Sequence, residues 1–270
     1  MAAGAPASLP RRCYRLLRLF VHLLQGVATT ALVFPMVAAP RRQALVRRWS
    51  VSLLAILFAE RRVNGWPAGG LAGNVLIVAN HISWLDIVVL NAVQPSRFVA
   101  KADLARWPLV GRLIAGCGTL FIERGRGRDA HRINHHARAA LASGDVIAIF
   151  PEGKASDGSE LLPFHGSLLQ PVIDAHGHVQ PIAIRYCDSD GAHNDSAAYV
   201  GDMRFLTSLW RVLGERQMVV LLDLAPPLVA HGRHRRHLAR QAEEVIRQVL
   251  ASPASGPAPG RVDGRRASVR

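Results

Sequence analysis

Two five-residue runs, VLIVA at 75–79 and VIAIF at 146–150, are apolar at every position. A strand with one face in water alternates apolar and polar side chains, so runs of this kind belong to strands covered on both faces. Such strands need helices on either side of the sheet, and the surrounding pattern supplies them. Short β-branched runs at 97–101, 119–123, 180–185 and 218–224 alternate with stretches of helical spacing or length at 83–93, 107–115, 129–142, 167–175, 204–213 and 234–250. The alternation predicts an α/β fold with a central, mostly parallel or mixed sheet flanked by helices. With 270 residues, half of them hydrophobic, the chain can bury one sizeable core and still carry an appendage.

A net charge of +14 invites a nucleic-acid reading, but the charge is unevenly placed. Residues 1–62 hold ten arginines and one acid, and residues 231–270 hold nine arginines and three acids. The intervening 63–230 carries a net charge of −1. Aromatic residues make up only 6%, too few for the stacking platforms that single-stranded nucleic acid requires. Nucleic acid is therefore not an expected partner. The three cysteines Cys13, Cys117 and Cys187 have no framework or metal-site spacing, which suits a reducing compartment.

The segment 16–39 is about as long and apolar as a membrane span, although Arg18, His22 and Gln25 interrupt its first half. A cleaved signal peptide would need the arginines at one end only. Here they lie on both sides, and a second apolar stretch follows at 45–59 around Arg47, Arg48 and Trp49. Two amphipathic or re-entrant helices in one leaflet place both arginine clusters at one anionic surface. Two ordinary core helices are the alternative. The expected organisation is a membrane-associating segment at 1–62, a globular domain at 63–252 and a disordered Pro/Gly/Ser-rich tail at 253–270.

Three strand ends carry candidate chemistry. The run VLIVA leads into Asn80-His81-Ile82-Ser83-Trp84-Leu85-Asp86, and ligands of α/β sheets bind just past the carboxyl ends of strands. An aspartate in the first turn of a following helix can reach back to one nitrogen of His81, leaving the other to take a proton from a hydroxyl. Ser83 and Asp86 can equally serve as helix-terminal caps. The second strand end reads FIERGRGR, with Arg124 among glycines, a composition that holds phosphate. The third reads Phe150-Pro151-Glu152-Gly153-Lys154, where a carboxylate and glycine-flanked amides could orient a hydroxyl or face an oxyanion.

In this order NHISWLD, FIERGR, FPEG and Val179-Gln180-Pro181-Ile182-Ala183 resemble the four motifs of the glycerolipid acyltransferases, whose first motif is N-H-x4-D. The resemblance spans about residues 74–186. It implies transfer of an acyl chain from acyl-CoA or acyl carrier protein to the sn-2 hydroxyl of 1-acyl-sn-glycerol 3-phosphate, giving phosphatidic acid. No cofactor is implied beyond the thioester co-substrate. His81 would be the general base and Asp86 its orienting partner. Arg124 would hold the phosphate, and Glu152 and Gly153 the glycerol. The implied location is the cytoplasmic face of a bacterial inner membrane. Lys154 stands where the family usually has Thr, and His165 where a lysine often occurs. Both departures bear on the acceptor's head group, with Lys154 a further candidate ligand, and they keep a lyso-ornithine lipid in view as the alternative acceptor.

No G-x-S-x-G elbow occurs, which argues against an acyl-serine route. Cys117 reads as a small structural residue. His131 and His135 have the i, i+4 spacing of a zinc pair, but no glutamate lies between them, and arginines surround both them and the cluster His231, His234 and His237. No metal is expected. A non-enzymatic basic membrane binder would leave the alignment of three strand-end motifs unexplained.

Overall fold

The structure is a computed structural model that describes residues 7–67, 70–71, 73–123 and 127–252, with the side chains of 127–131 left aside. The expected tail at 253–270 lies outside the described residues. Eight strands form one mixed sheet in the order β1-β7-β6-β2-β5-β3-β4, with β8 paired to β6. The strands are β1 (Ala59–Asn64), β2 (Val75–Ala79), β3 (Arg97–Lys101), β4 (Leu120–Ile122), β5 (Val146–Ile149), β6 (His178–Cys187), β7 (Met218–Leu224) and β8 (Leu228–Val229). β2 is parallel to both its neighbours, β5 and β6. β7 is antiparallel to β6 and parallel to β1.

β2 and β5 are buried at every residue, as their composition requires. Side chains alternate between faces along a strand. Ile77 and Ala79 therefore join one core, while Leu76 and Val78 join the other. The first face is covered by α1 (Leu9–Ala28), α2 (Ala39–Leu57), α3 (Leu85–Val93) and α7 (Phe205–Gly214). The second is covered by α5 (Gly127–Ala142), α6 (Gln170–Asp174) and α8 (Arg235–Ala251). The remaining helix, α4 (Val110–Gly116), packs against α1.

Several elements differ from expectation. β1, reading AERRVN, has three charges and no apolar run, and a charged sequence of this kind suits the edge position it occupies. It straddles the expected boundary after Arg62 and brings the end of the N-terminal segment into the sheet. The stretch at 107–115 begins its helix only at Val110, because Leu109 takes a left-handed φ of 62° after Pro108. The stretch at 167–175 divides into a 3-10 turn, Gly166–Leu169, and the short α6 with a proline in its first turn.

The N-terminal segment is helical from Leu9. It continues through a π turn (Thr29–Val33) and a 3-10 turn (Phe34–Met36), so Leu9–Met36 is long and apolar enough to cross a membrane by length and composition. Its α1 part packs against α2, α4 and α7. Arg15, 1% exposed, donates to the carbonyls of Leu213 and Glu215 at the end of α7 and stands 4.2 Å over the Phe58 ring. Two helical turns further on, His22 and Trp49 stack at 4.7 Å. Nε2 of His22 meets the Trp49 carbonyl at 2.9 Å, and the indole N–H donates to the His22 carbonyl at 3.0 Å. Gly26 permits this approach of α1 to α2, since a Cβ there would stand 2.7 Å from the indole nitrogen.

Candidate active site

β2 and β5 are adjacent and parallel, so the residues just past their carboxyl ends meet at one edge of the sheet. Asn80 follows β2, and its side chain continues the strand's pairing. Oδ1 accepts from the Ile184 N–H at 2.7 Å and Nδ2 donates to the Ile184 carbonyl at 3.0 Å. The next residue, His81, is thereby held at a fixed exit angle.

Asp86 sits in the first turn of α3 and is fully buried. Its Oδ2 lies 2.8 Å from Nδ1 of His81 and accepts the N–H groups of Ile82 at 2.8 Å and Ser83 at 2.9 Å. Its Oδ1 accepts the Tyr186 hydroxyl at 2.6 Å. A carboxylate only accepts, so Nδ1 carries the proton and Nε2 is left basic. The imidazole stacks on Phe150 at 4.2 Å with the planes 12° apart, which fixes its remaining rotation. One side chain thus makes both the contacts at the start of α3 and the contact to His81.

Glu152, just past β5, is 4% exposed. Oε1 accepts the N–H of His81 at 2.7 Å and Oε2 accepts the N–H of Leu162 at 3.0 Å. The resemblance assigns this carboxylate to the glycerol, but here each oxygen is engaged by backbone, and the side chain clamps His81 to the 156–162 loop. Burial pushes its carboxyl up to about 7, against the two N–H bonds that pull it down. Gly153 closes the turn at a φ of 72°, donating to the Phe150 carbonyl at 3.1 Å. Arg124 lies outside the described residues, as do the side chain of His131 and its pairing with His135.

His81, Glu152, Gly153 and Lys154 line a cavity of about 1490 Å³. Its far walls are apolar and come from α1, α2, α4 and α7, with Leu19, Leu23, Trp49, Leu113 and Leu209 among them. Lys101 and His165 line it as well, so both lysines of the chain face one space. Cys117 also lines it, but burial raises its thiol to about 11, leaving it protonated and a poor nucleophile at neutral pH. Among the described residues no group of three or more His, Cys, Asp or Glu is placed to hold a metal ion.

Tyr186 has no sequence motif of its own, and Phe150, the first residue of FPEG, gave no sign in the sequence of its stacking on His81. A tyrosine inside an apolar strand does imply a buried hydroxyl that needs a partner. Burial and the neighbouring Asp86 carboxylate push its phenol far above the usual range, so it acts as a donor. Tyr186→Phe removes the hydroxyl that holds Oδ1 of Asp86 and should lower kcat about tenfold with little change in KM for either substrate. An unchanged kcat would reduce the hydroxyl's part to packing alone.

Comparison with known proteins fits this geometry. The family model described as Acyltransferase matches residues 59–185. A lyso-ornithine lipid O-acyltransferase of Pseudomonas aeruginosa is 40% identical over 216 residues, covering 80% of this chain and 82% of its own length. A 1-acyl-sn-glycerol-3-phosphate acyltransferase of Neisseria meningitidis is 37% identical over 191 residues, covering 70% and 74% respectively. The crystal structure of the 1-acyl-sn-glycerophosphate acyltransferase PlsC of Thermotoga maritima superposes with a TM-score of 0.70 at 19% identity, over 90% of this chain and 94% of that one, which shows a shared fold.

Proposed function

Because this chain belongs to the acyltransferase family, we propose that it moves an acyl chain from a thioester, acyl-CoA or acyl carrier protein, to the sn-2 hydroxyl of 1-acyl-sn-glycerol 3-phosphate, forming phosphatidic acid. The observation that carries this reading is the His81–Asp86 pair opening onto a cavity with largely apolar walls. A lipid hydroxyl is a weak nucleophile at neutral pH and needs a base at its oxygen, while a thioester carries a leaving group that needs little help.

In the proposed reaction Nε2 of His81 takes the hydroxyl proton as the oxygen attacks the thioester carbonyl. Asp86 stabilises the imidazolium across the 2.8 Å bond to Nδ1. The tetrahedral intermediate collapses, the C–S bond breaks, and the leaving sulfur recovers the proton from His81. No acyl-enzyme forms. At the head group, Lys154, Lys101 and His165 of the cavity wall suit an anion, and Arg124, two residues beyond β4 in sequence, would add a phosphate partner. The apolar walls would take acyl chains, and the exposed apolar row of α1 would rest on the membrane's anionic cytoplasmic surface.

The 40% identity to a lyso-ornithine lipid enzyme favours a second acceptor of the same reaction, a lyso-ornithine lipid. Parallel assays with the two acceptors test the choice. The proposal expects the larger kcat/KM with the glycerol phosphate acceptor and a selective rise in its KM on Lys154→Glu, which replaces a cation of the cavity wall by an anion. A larger kcat/KM with lyso-ornithine lipid would transfer the assignment to that acceptor.

A further inference from the structure

α7 separates the cavity from the outside of the molecule. Phe205 and Leu209 line the cavity, whereas Leu206 and Trp210, one turn apart, face outward with 75% and 37% exposure. α1 is built the same way. Leu19, His22 and Leu23 line the cavity, while Leu16, Leu17, Phe20, Val21 and Leu24 are exposed. The two helices are tied together at one end: the Ala7 N–H donates to the Gly214 carbonyl at 2.7 Å, and the Arg12 guanidinium lies 5.3 Å from the Trp210 ring centre. Two helices that pack against each other thus both present exposed apolar side chains, more than the scattered single residues a soluble surface carries.

We propose that Leu206 and Trp210 are a second foothold, beside α1, on an anionic phospholipid bilayer. This rests on the reading that the acceptor is a membrane lysolipid. The charge around the patch selects the occupant. The chain has no acid before Glu60, and α7, FLTSLWRVLG, contains none. Arg12 and Arg18 lean over the aromatic rings of Trp210 and Tyr14, so their cations sit at the rim of the apolar surface, where lipid phosphates would meet them. Arg211 is paired with Asp195, but a second copy of this chain would bring the arginines of α1 against themselves, which opposes a dimer through this face. Tryptophan at a helix surface beside arginine is also the residue pattern of the water–bilayer interface. Two footholds on separate helices fix the domain's rotation on the membrane, which one helix cannot do. The cavity wall that they share is then held toward the lipid.

The test is co-sedimentation of the full chain with vesicles of phosphatidylethanolamine and phosphatidylglycerol, comparing wild type with Leu206→Glu/Trp210→Glu. The partition coefficient should fall about tenfold or more, because two apolar anchors are lost and two anions face an anionic surface. Transfer to an acceptor dispersed in detergent micelles should persist, since neither side chain lines the cavity. An unchanged partition coefficient would overturn the proposal. So would a double variant that still binds vesicles but has lost a self-association seen in the wild type. If the double variant does not fold, quenching by brominated lipids decides: wild type should lose a fluorescence component that Trp210→Phe lacks, and identical quenching would count against the foothold. A wild-type protein that binds vesicles through this face yet acylates no lysolipid would leave the surface standing and remove the proposed reaction instead.

Discussion

His81→Ala should lower kcat for acyl transfer by about a thousandfold or more while the protein still folds and binds vesicles. General bases contribute factors of about 10² to 10⁴, and here the base is also the only group that the dyad presents to the acceptor hydroxyl. The imidazole is partly exposed, so its removal leaves no large cavity in the core. Its backbone N–H, held by Glu152 at 2.7 Å, survives the substitution. Asp86→Asn should be nearly as damaging for activity. An amide can turn its N–H2 toward Nδ1 and impose the wrong tautomer, in which Nε2 carries the proton and cannot accept one. Circular dichroism and vesicle binding separate these losses from unfolding.

Glu152→Gln should reduce kcat about 10- to 100-fold with little change in KM for either substrate, because displacing a catalytic group by an ångström can cost that much. The carboxylate accepts one N–H on each oxygen, from His81 and Leu162. An amide has one accepting oxygen, so one backbone N–H loses its partner and faces an N–H2 group instead, at about 1–3 kcal/mol. A glycerol ligand would behave differently, raising KM for the acceptor and sparing the donor. The pH dependence of stability gives an independent reading. Unfolded Glu152 ionises near 4.5, whereas in the folded chain its carboxyl is raised to about 7. The folded state therefore keeps a proton that the unfolded chain releases. Glu152 contributes stability that is fully present below pH 4.5 and is lost as the pH rises through about 7, an effect of order 3 kcal/mol. Glu152→Gln should flatten the melting temperature across that interval, read by thermal unfolding at a series of pH values.

The parts of this molecule legible in the sequence are those governed by local composition. VLIVA and VIAI pack as fully buried neighbouring strands because nothing else can be done with uninterrupted apolar runs, and their adjacency brings His81 and Glu152 together. β1 was not legible. Its AERRVN has no strand pattern, and it becomes a strand only because β7 offers it a parallel edge. The late start of α4 depends on a left-handed Leu109, which no propensity anticipates. Within the site, the spacing of His81 and Asp86 announces a contact, since both belong to one turn of chain. Tyr186 reaches Asp86 from 100 residues away, and such a contact exists only once β6 lies beside β2. Glu152 was visible as a residue but its two backbone bonds were not, because they exist only once the loop carrying Leu162 folds over it. The outward row of α7 has the same character: Leu206 and Trp210 look like core in sequence, and only the packing of Phe205 and Leu209 shows which side meets the outside.

The central claim is direct transfer to a lipid hydroxyl by a base that makes no covalent intermediate. Release of free thiol from a long-chain acyl thioester, followed with and without 1-acyl-sn-glycerol 3-phosphate while diacyl product is counted in the same samples, tests it most directly. Thiol should appear only when the acceptor is present and in equal amount to the diacyl lipid, with both lost in His81→Ala. Thiol released at the same rate without acceptor, or a stoichiometric burst of thiol that leaves acyl groups on the protein, would contradict it.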